Sequence, residues 1–174
     1  SEDFEIYIGP EQLTNSTSPW RHRSIVGSSN KWYIHNDASI GGNMMLAVGN
    51  KNFAYHTYNK NNDCEKIAYD ETTSIDASSY ESLTLTFSWI CEGEANYDYG
   101  KVCYSLDGGV SWTDLPDSYQ GQSSLQNANV DLSILDGQVF HIGFKWINDG
   151  SLGGNPPFEV DDITITGTTS SNVT

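Results

Sequence analysis

Basic residues are scarce in this sequence. Lys and Arg total 8 against 23 Asp and Glu, which gives a formal net charge of −15 at pH 7. A surface of this charge repels the phosphates of nucleic acid and of anionic membranes, so we expect neither as a partner. The sequence also lacks any run approaching the roughly 20 apolar residues of a membrane-spanning helix, so we expect no membrane insertion. No signal peptide stands at Ser1, and we expect a mature secreted chain or a domain excised from one.

Cysteine is equally scarce, with three residues at Cys64, Cys91 and Cys103. No Cys-x-x-Cys pair or Cys/His spacing suggests a zinc site. Cys91 and Cys103 flank a predicted hairpin loop and could form a disulfide, but Cys103 is out of phase with Val102 and Tyr104. The alternative is that the thiols are free and buried. The sequence leaves both alternatives open.

Catalytic motifs are absent. The chain has no Gly-x-Ser-x-Gly, His-Glu-x-x-His, P-loop or dinucleotide-binding fingerprint. His141 lies in a predicted strand among apolar residues, which favours a structural role. A carboxylate pair of the glycosidase type could still come from Glu92, Glu94 or Asp98. We therefore expect no catalysis from this domain, with a small polysaccharide-active enzyme as an alternative.

Helical periodicity is absent as well, and short alternating runs separated by Gly, Asn, Asp, Ser and Pro take its place. The clearest run is 82–91, where Leu83, Leu85 and Phe87 alternate with Ser and Thr, as in a strand with one face in a core. Asp107-Gly108-Gly109 is a strong hairpin signal. The pattern predicts an all-β fold, a two-sheet antiparallel β-sandwich of the jelly-roll type. We expect one module over residues 1–167 and a Ser/Thr/Asn-rich linker over 168–174.

The last predicted strand, 158–167, carries two adjacent carboxylates, Asp161 and Asp162, within an apolar and β-branched run. Neighbouring strand residues point to opposite faces, so at least one Asp lies on or beside the buried face unless a bulge re-aims it. A buried carboxylate needs a cation or several hydrogen-bond donors. The run therefore indicates either a bound hard cation such as calcium or a bulge that turns both side chains into water.

Three stretches together resemble a known family. They are Ser74-Ile75-Asp76 with 80–87, the segment from Gly93-Glu94 through Asp98-Tyr99-Gly100 to 104–112, and the closing segment 144–163. The sequence resembles the cleaved-adhesin/MAM-like β-jelly-roll domains of secreted Bacteroidetes proteins, often peptidases and adhesins. The resemblance covers about residues 30–167. It implies a two-sheet jelly roll, an extracellular location and a structural calcium ion that ties the first strand to the last.

The predicted calcium site combines the resemblance with ligand chemistry. The positions that match the family are Glu5 and the pair Asp161-Asp162. Calcium takes six to eight oxygen ligands, so Asn36 and backbone carbonyls from 36–43 are added as candidates. The acidic loop of Glu92, Glu94 and Asp98 is a weaker candidate, since a solvated acidic loop accounts for it.

Aromatic residues supply the candidate ligand-binding surface. A flat ring offers apolar contact to a pyranose, and neighbouring polar groups bind its hydroxyls. Tyr97 and Tyr99 lie in or beside the acidic loop and are the better surface candidates. The three strand tryptophans, Trp89, Trp112 and Trp146, are expected mainly in the core. The predicted ligand-binding set is Tyr97, Tyr99, Glu94, Asp98 and Trp146.

These observations predict a secreted or cell-surface, non-catalytic binding or adhesion module, stabilised by calcium and attached to a larger protein. Its expected partners are an extracellular glycan or protein surface and the adjacent domains of the parent chain. The alternatives are a structural accessory domain of a secreted peptidase and the small polysaccharide-active enzyme. One fold hosts many functions, so the resemblance alone does not choose among them.

Overall fold

The computed structural model describes residues 1–2, 4–5, 11–13, 17–27, 30–37, 43–50 and 56–170. These residues form twelve strands and a short 3-10 helix, Ser133–Leu135. The strands are β1 (Glu11–Gln12), β2 (Trp20–Val26), β3 (Asn30–Asp37), β4 (Asn43–Asn50), β5 (Asp63–Asp70), β6 (Ile75–Asp76), β7 (Tyr80–Cys91), β8 (Tyr99–Ser105), β9 (Thr113–Asp114), β10 (Gln122–Asp131), β11 (Val139–Asp149) and β12 (Glu159–Thr169). No helix within these ranges is long and apolar enough to cross a bilayer.

The strands pair into two sheets. In the described part of the chain, the first sheet has the order β1-β3-β4-β12-β7-β10, and the second has the order β2-β5-β11-β8-β9, with β6 paired to β11. Every strand pair is antiparallel. The predicted all-β, two-sheet antiparallel β-sandwich is confirmed.

The core lies between the sheets and follows the predicted alternation. Leu83, Leu85 and Phe87 of β7 point inward and are at most 4% exposed. They meet Phe144 of the second sheet, whose ring centroid lies 5.2 Å from that of Phe87. Full burial of such side chains contributes about 1.5–3 kcal/mol each, so this contact is a main source of stability.

Strand β12 lies in the middle of the first sheet, between β4 and β7. It runs past the predicted module boundary at 167, because Thr168 and Thr169 still pair with Glu81 and Tyr80 of β7. Residues 171–174 of the predicted linker lie outside the described residues. The division into module and linker stays a prediction.

A bulge separates the two adjacent carboxylates of β12. The register with β7 shifts between Asp161 and Thr164, and Asp162 adopts a left-handed backbone with φ +52°. Asp161 is 5% exposed, whereas Asp162 lies on the surface. Beyond the bulge, Ile163 exchanges two backbone hydrogen bonds with Glu2, of 2.7 and 2.8 Å. The bulge thus turns one carboxylate outward, and the N-terminal segment pairs with the last strand.

The three cysteines are free and buried. Cys91 ends β7 in the first sheet, whereas Cys103 lies in β8 of the second, where its thiol donates to the carbonyl of Gly143 at 3.4 Å. Of the two alternatives left open, the structure has free thiols. Burial raises the pKa of all three thiols, so each stays protonated and unreactive at neutral pH.

Candidate functional site

The outer face of the second sheet is built by strand alternation. In β5, β11 and β8, residues such as Ala68, Phe144 and Val102 enter the core. Their neighbours therefore point away from it. The register places Tyr69 opposite Gly143, and Gly143 opposite Cys103, in one outward-facing line across three strands. Gly143 leaves a depression in this line, because it has no side chain.

Trp112 fills that depression from outside. A Cβ atom at Gly143 would lie 2.7 Å from the Trp112 ring and 2.7 Å from Cγ2 of Ile67, so only glycine admits the indole here. The Trp112 and Tyr69 ring centroids lie 5.0 Å apart in an edge-to-face arrangement. Both side chains are half-buried. We call Trp112 and Tyr69 the aromatic pair.

The expectation that Trp112 packs in the core is wrong, since it lies on the outer surface of a sheet. The signal in the sequence is Gly143, a glycine in the middle of a strand of bulky residues. Such a glycine marks a close approach by another group. What approaches it depends on the fold and is not readable from the strand itself.

The loop that carries Trp112 is held by its own turn. The carboxylate of Asp107 accepts the Ser111 hydroxyl at 2.6 Å, the Ser105 hydroxyl at 2.8 Å and the backbone N–H groups of Val110 and Ser111 at 3.1 and 2.9 Å. The bond from the Ser111 hydroxyl is the largest of the effects that lower the pKa of Asp107 to about 2. At the end of the loop, the indole N–H of Trp112 donates to the Gly109 carbonyl at 3.0 Å. The ring is therefore positioned before any ligand arrives.

A charged group lies beside the aromatic pair on the same face. The ammonium group of Lys145 lies 2.5 Å from the carboxylate of Asp114 and 3.1 Å from that of Glu65. Burial disfavours the charged ammonium, but the hydrogen bonds to Asp114 and Glu65 outweigh burial and raise the pKa of Lys145. Lys145 therefore stays charged and offsets one of the two negative charges of Glu65 and Asp114.

Tyr99, a predicted ligand contact, lies at the far end of this face. It pairs with Ile147 of β11 and is half-buried. Four residues separate Gly143 from Ile147, which corresponds to about 13 Å at about 3.3 Å per residue. The face therefore has aromatic rings at two positions with charged and polar groups between them.

The remaining predicted ligand residues lie elsewhere. Tyr97 is 53% exposed at the tip of the 92–98 loop, whereas Trp146 has no exposed surface and donates its indole N–H to Asn148 at 2.9 Å. Asp98 is also fully buried, where it accepts the Tyr58 hydroxyl and the backbone N–H of Asp149. Trp146 and Asp98 were predicted to contact a ligand, and both predictions are wrong because the core and the loop enclose them.

Glu94 and Asp98 do come together, and Asp149 joins them. One oxygen of each carboxylate lies within 4.8 Å of the others, the spacing of oxygen ligands around a cation. Burial raises the pKa of Asp98, with the hydrogen bond from Tyr58 acting in the opposite direction. The sequence pattern does not indicate Asp149, because this residue lies at the end of β11, distant in sequence from Glu94 and Asp98. Among the described residues, this is the group of three carboxylates that converges.

The predicted calcium ligands are arranged around one end of β4. The Glu5 carboxylate accepts the backbone N–H of Met44 at 2.8 Å, and Asn36 of β3 pairs with that same Met44. Asp161 follows Val160, which pairs with Leu46 of β4. Asp162 differs, since its side chain accepts the Ser88 hydroxyl at 3.1 Å. Glu5 and Asn36 are thus both at Met44, Asp161 lies beside the partner of Leu46 two positions further along β4, and Asp162 is directed toward β7.

The outer face of the first sheet is a contrasting polar surface. Over β7, β10 and β12, hydroxyl and amide side chains stand in register, as where Thr86 pairs with both Asn129 and Thr164. A shallow groove of about 370 Å³ runs here. Its lining includes Thr86, Ser88, Asn127, Asn129 and Asp162.

Solved structures share this fold. The chain is similar to TmCBM61 in complex with β-1,4-galactotriose, at 14% identity, 97% coverage of this chain, 100% of that chain and a TM-score of 0.53. It is similar to the CBM22-1 xylan-binding domain of Paenibacillus barcinonensis Xyn10C, at 10% identity, 98% and 94% coverage and a TM-score of 0.51. It also matches part of the arabinose-bound MgGH51 α-L-arabinofuranosidase, at 11% identity, 98% coverage of this chain, 26% of that chain and a TM-score of 0.56.

At these identities the likeness establishes the β-sandwich fold and nothing further. No protein-family profile matches the chain, and no curated protein matches it significantly. The cleaved-adhesin/MAM-like identity stays a prediction.

Proposed function

We propose that this chain is a non-catalytic, extracellular glycan-binding module that holds a sugar chain on the outer face of the second sheet. The aromatic pair carries the proposal. Trp112 is fixed by the Gly109 carbonyl and by the depression at Gly143, yet part of its surface is open to water. A half-exposed indole held rigid in this way is suited to stack against the apolar face of a pyranose.

The spacing along the face supports a chain of sugars rather than a single one. Tyr99 lies about 13 Å from the aromatic pair along the strands, a distance longer than one pyranose ring. Between them, the partly exposed carboxylates of Glu65 and Asp114 offer hydrogen-bond acceptors to sugar hydroxyls.

The fold is compatible with this use. Two of the similar structures are, by their own names, a module in complex with galactotriose and a xylan-binding domain. They suggest the class of ligand to test first, namely plant-type polysaccharides.

The enzyme alternative loses one of its three candidate carboxylates, Asp98, whereas Glu92 and Glu94 stay partly exposed. Asp98 has no exposed surface, so a glycosidic bond cannot reach it, and it lies in one cluster with Glu94 and Asp149. A glycosidase needs two accessible carboxyl groups on either side of the bond. This arrangement favours binding without hydrolysis.

Retention in native gels that contain a polysaccharide tests the proposal. We expect wild-type protein to be retarded by at least one polysaccharide of a panel that includes galactan, xylan and polygalacturonate. Trp112→Ala should abolish the retardation, and Trp112→Phe should retain part of it. Tyr97→Ala should have no effect, because the exposed Tyr97 ring does not lie on this face. Retardation of Trp112→Ala equal to that of wild type would refute the site.

We propose in addition that a calcium ion joins the N-terminal segment to β4 and β12 through Glu5, Asn36 and Asp161. The residues fit the ion, since two carboxylates and an amide supply hard oxygen ligands, and Glu5 and Asp161 approach β4 at nearby residues. Bound calcium would add to the hydrogen bond of 2.8 Å that the Asp161 carboxylate, 5% exposed, accepts from the backbone N–H of Asp162. Asp162 is left out of this set because its side chain is directed to Ser88.

Chelation tests the calcium site. EDTA should lower the melting temperature, excess calcium should restore it, and Glu5→Gln should remove this response. Glu94→Gln is the matched control, because it alters the other carboxylate cluster. A melting curve that does not change in EDTA would rule out a stabilising ion.

A further inference from the structure

Three basic residues form one row across the outer face of the second sheet. Arg23 of β2 pairs with Ile67 of β5, Ile67 pairs with Lys145 of β11, and Lys145 pairs with Lys101 of β8. With about 4.8 Å between neighbouring strands, the row crosses roughly 14 Å of the sheet. It lies between the aromatic pair and Tyr99. We call Arg23, Lys145 and Lys101 the cation row.

We infer that this face selects glycans that carry anionic groups, either carboxylates or sulfates. The inference rests on the proposed glycan-binding function and specifies its ligand. The chain has 8 Lys and Arg in total and a net charge of −15, yet three of the 8 stand in this one row. An anionic polymer repelled by the rest of the surface would meet its counter-charge here.

The three side chains of the cation row affect an anionic ligand in different ways. Lys145 lies between Glu65 and Asp114 and offsets one of their two negative charges, which reduces their repulsion of an anionic ligand. Lys101 donates its ammonium hydrogens to the carbonyls of Leu115, Pro116 and Asp117 at 3.1–3.3 Å. Carbonyls leave its charge uncompensated, so Lys101 contributes an electrostatic field rather than a direct contact.

Arg23 is the residue of the cation row that contacts the anionic group of the glycan directly. It is exposed, and its Nη1 donates to the Gly109 carbonyl at 2.6 Å. Among the described residues, no carboxylate pairs with it. A guanidinium has five N–H donors, so most of them remain for a ligand. Carboxylate and sulfate groups match the planar donor pair of arginine.

The position of Arg23 links charge recognition to stacking. The same Gly109 carbonyl accepts Arg23 on one side and the Trp112 indole N–H, at 3.0 Å, on the other. The guanidinium is therefore held beside the indole ring. A pyranose stacked on Trp112 would direct a carboxylate or sulfate substituent toward Arg23.

Titration calorimetry with four polysaccharides tests the inference: polygalacturonate, chondroitin sulfate, neutral β-1,4-galactan and neutral xylan. Wild-type protein should bind at least one of the two acidic polymers about tenfold or more tightly than either neutral one. Arg23→Gln should weaken binding of the acidic polymer about tenfold and change neutral binding less than twofold. Arg21→Gln is the matched control, because Arg21 lies two residues away on β2 and is already paired with Glu71 at 3.2 Å.

The outcomes separate the two proposals. Binding of polygalacturonate alone identifies a carboxylate, binding of chondroitin sulfate without polygalacturonate identifies a sulfate group, and either result supports the inference. Equal binding of acidic and neutral polymers, or no effect of Arg23→Gln while Trp112→Ala abolishes binding, overturns the inference and leaves the glycan-binding function standing. No binding of any polymer overturns both. The melting curve of Arg23→Gln should match that of wild type, because Arg23 is exposed.

Discussion

The two sheets of this sandwich present outer faces of different chemistry. On the first sheet, over β7, β10 and β12, the outward side chains are small and polar, with Thr86 between Asn129 and Thr164. On the second sheet, Trp112 lies against the strands, and Lys145 joins two acids. Both faces are half of an alternating pattern, but the first is joined by single hydrogen bonds such as that of Ser88 with Asp162, whereas the second holds a fixed indole and an ion-pair cluster. The outward-facing residues of a strand can therefore either face the solvent or hold other side chains in a fixed arrangement on the sheet.

The difference comes from what covers each face. The polar side chains of the first sheet make short hydrogen bonds to one another, such as that of Ser88 with Asn127 at 3.2 Å. On the second sheet, the 106–112 loop folds back and places Trp112 over Gly143. Substitutions that disturb the side chains packed on the second sheet should have large effects on the free energy of unfolding. Equivalent substitutions on the first sheet should have small effects.

Lys145→Met should produce the largest change in stability. The substitution leaves Glu65 and Asp114 facing each other without the cation, and breaking an ion pair by removing one partner is strongly destabilising when the pair is buried. Because both acids are partly exposed, we expect a loss of about 2–3 kcal/mol in the free energy of unfolding, measured by urea denaturation. Thr164→Val on the first sheet should change it by less than about 0.5 kcal/mol. Equal effects of the two substitutions would contradict the contrast between the faces.

Gly143→Ala should destabilise somewhat less. The added methyl would lie 2.7 Å from the Trp112 ring and from Ile67, so the indole has to move. Overpacking of this kind costs about 1–3 kcal/mol in the free energy of unfolding. The tryptophan fluorescence of the folded protein should also change, because the displaced Trp112 ring has different surroundings.

Gly167→Ala in β12 is the control for this prediction. Its added methyl would meet Cδ2 of Leu83 at 2.7 Å, the mobile end of a flexible side chain. The cost should therefore be smaller than at Gly143. A Gly143→Ala protein with wild-type stability and unchanged tryptophan fluorescence would show that Trp112 does not depend on this depression.

Acid should weaken the second sheet through His22 of β2. Burial, followed by the nearby charge of Lys66, lowers the pKa of His22 from 6.5 to about 4. The neutral ring is favoured in the folded state, so its contribution is complete above pH 6.5 and is lost as the pH falls toward 4. We expect this residue to account for up to about 2 kcal/mol of the acid destabilisation, discounted for its partial exposure.

The measurement is the melting temperature between pH 7 and pH 4 for wild type and His22→Gln. The variant should lose less stability than wild type over this window. Parallel curves for wild type and His22→Gln would show that His22 does not contribute.

The sequence predicts the sandwich well because strand signals are local. The alternation around Leu83, Leu85 and Phe87 and the Asp107-Gly108-Gly109 turn require only neighbouring residues to be read. For the two carboxylates of β12, the sequence predicts either a bound cation or a bulge that turns both into water, and the structure turns only Asp162 outward. The bulge exists, but which carboxylate it turns outward depends on pairing with β7, which is a long-range property.

The candidate site is less predictable for the same reason. Trp112 and Trp146 both follow strand-like patterns, yet Trp146 lies in the core and Trp112 outside it. What separates them is a glycine 31 positions away from Trp112 in sequence, at Gly143. The cation row is likewise visible only once the register of four strands is known.

Affinity measured on the two faces is the most direct test of the central claim that the second sheet binds glycans. Polygalacturonate and β-1,4-galactan are titrated into wild type, Trp112→Ala and Thr86→Ala under identical conditions. We expect Trp112→Ala to weaken binding of whichever polymer wild type binds by at least tenfold, and Thr86→Ala to leave it within twofold of wild type. Undiminished binding by Trp112→Ala, or a larger loss in Thr86→Ala, would contradict this account and place the ligand on the first sheet or elsewhere.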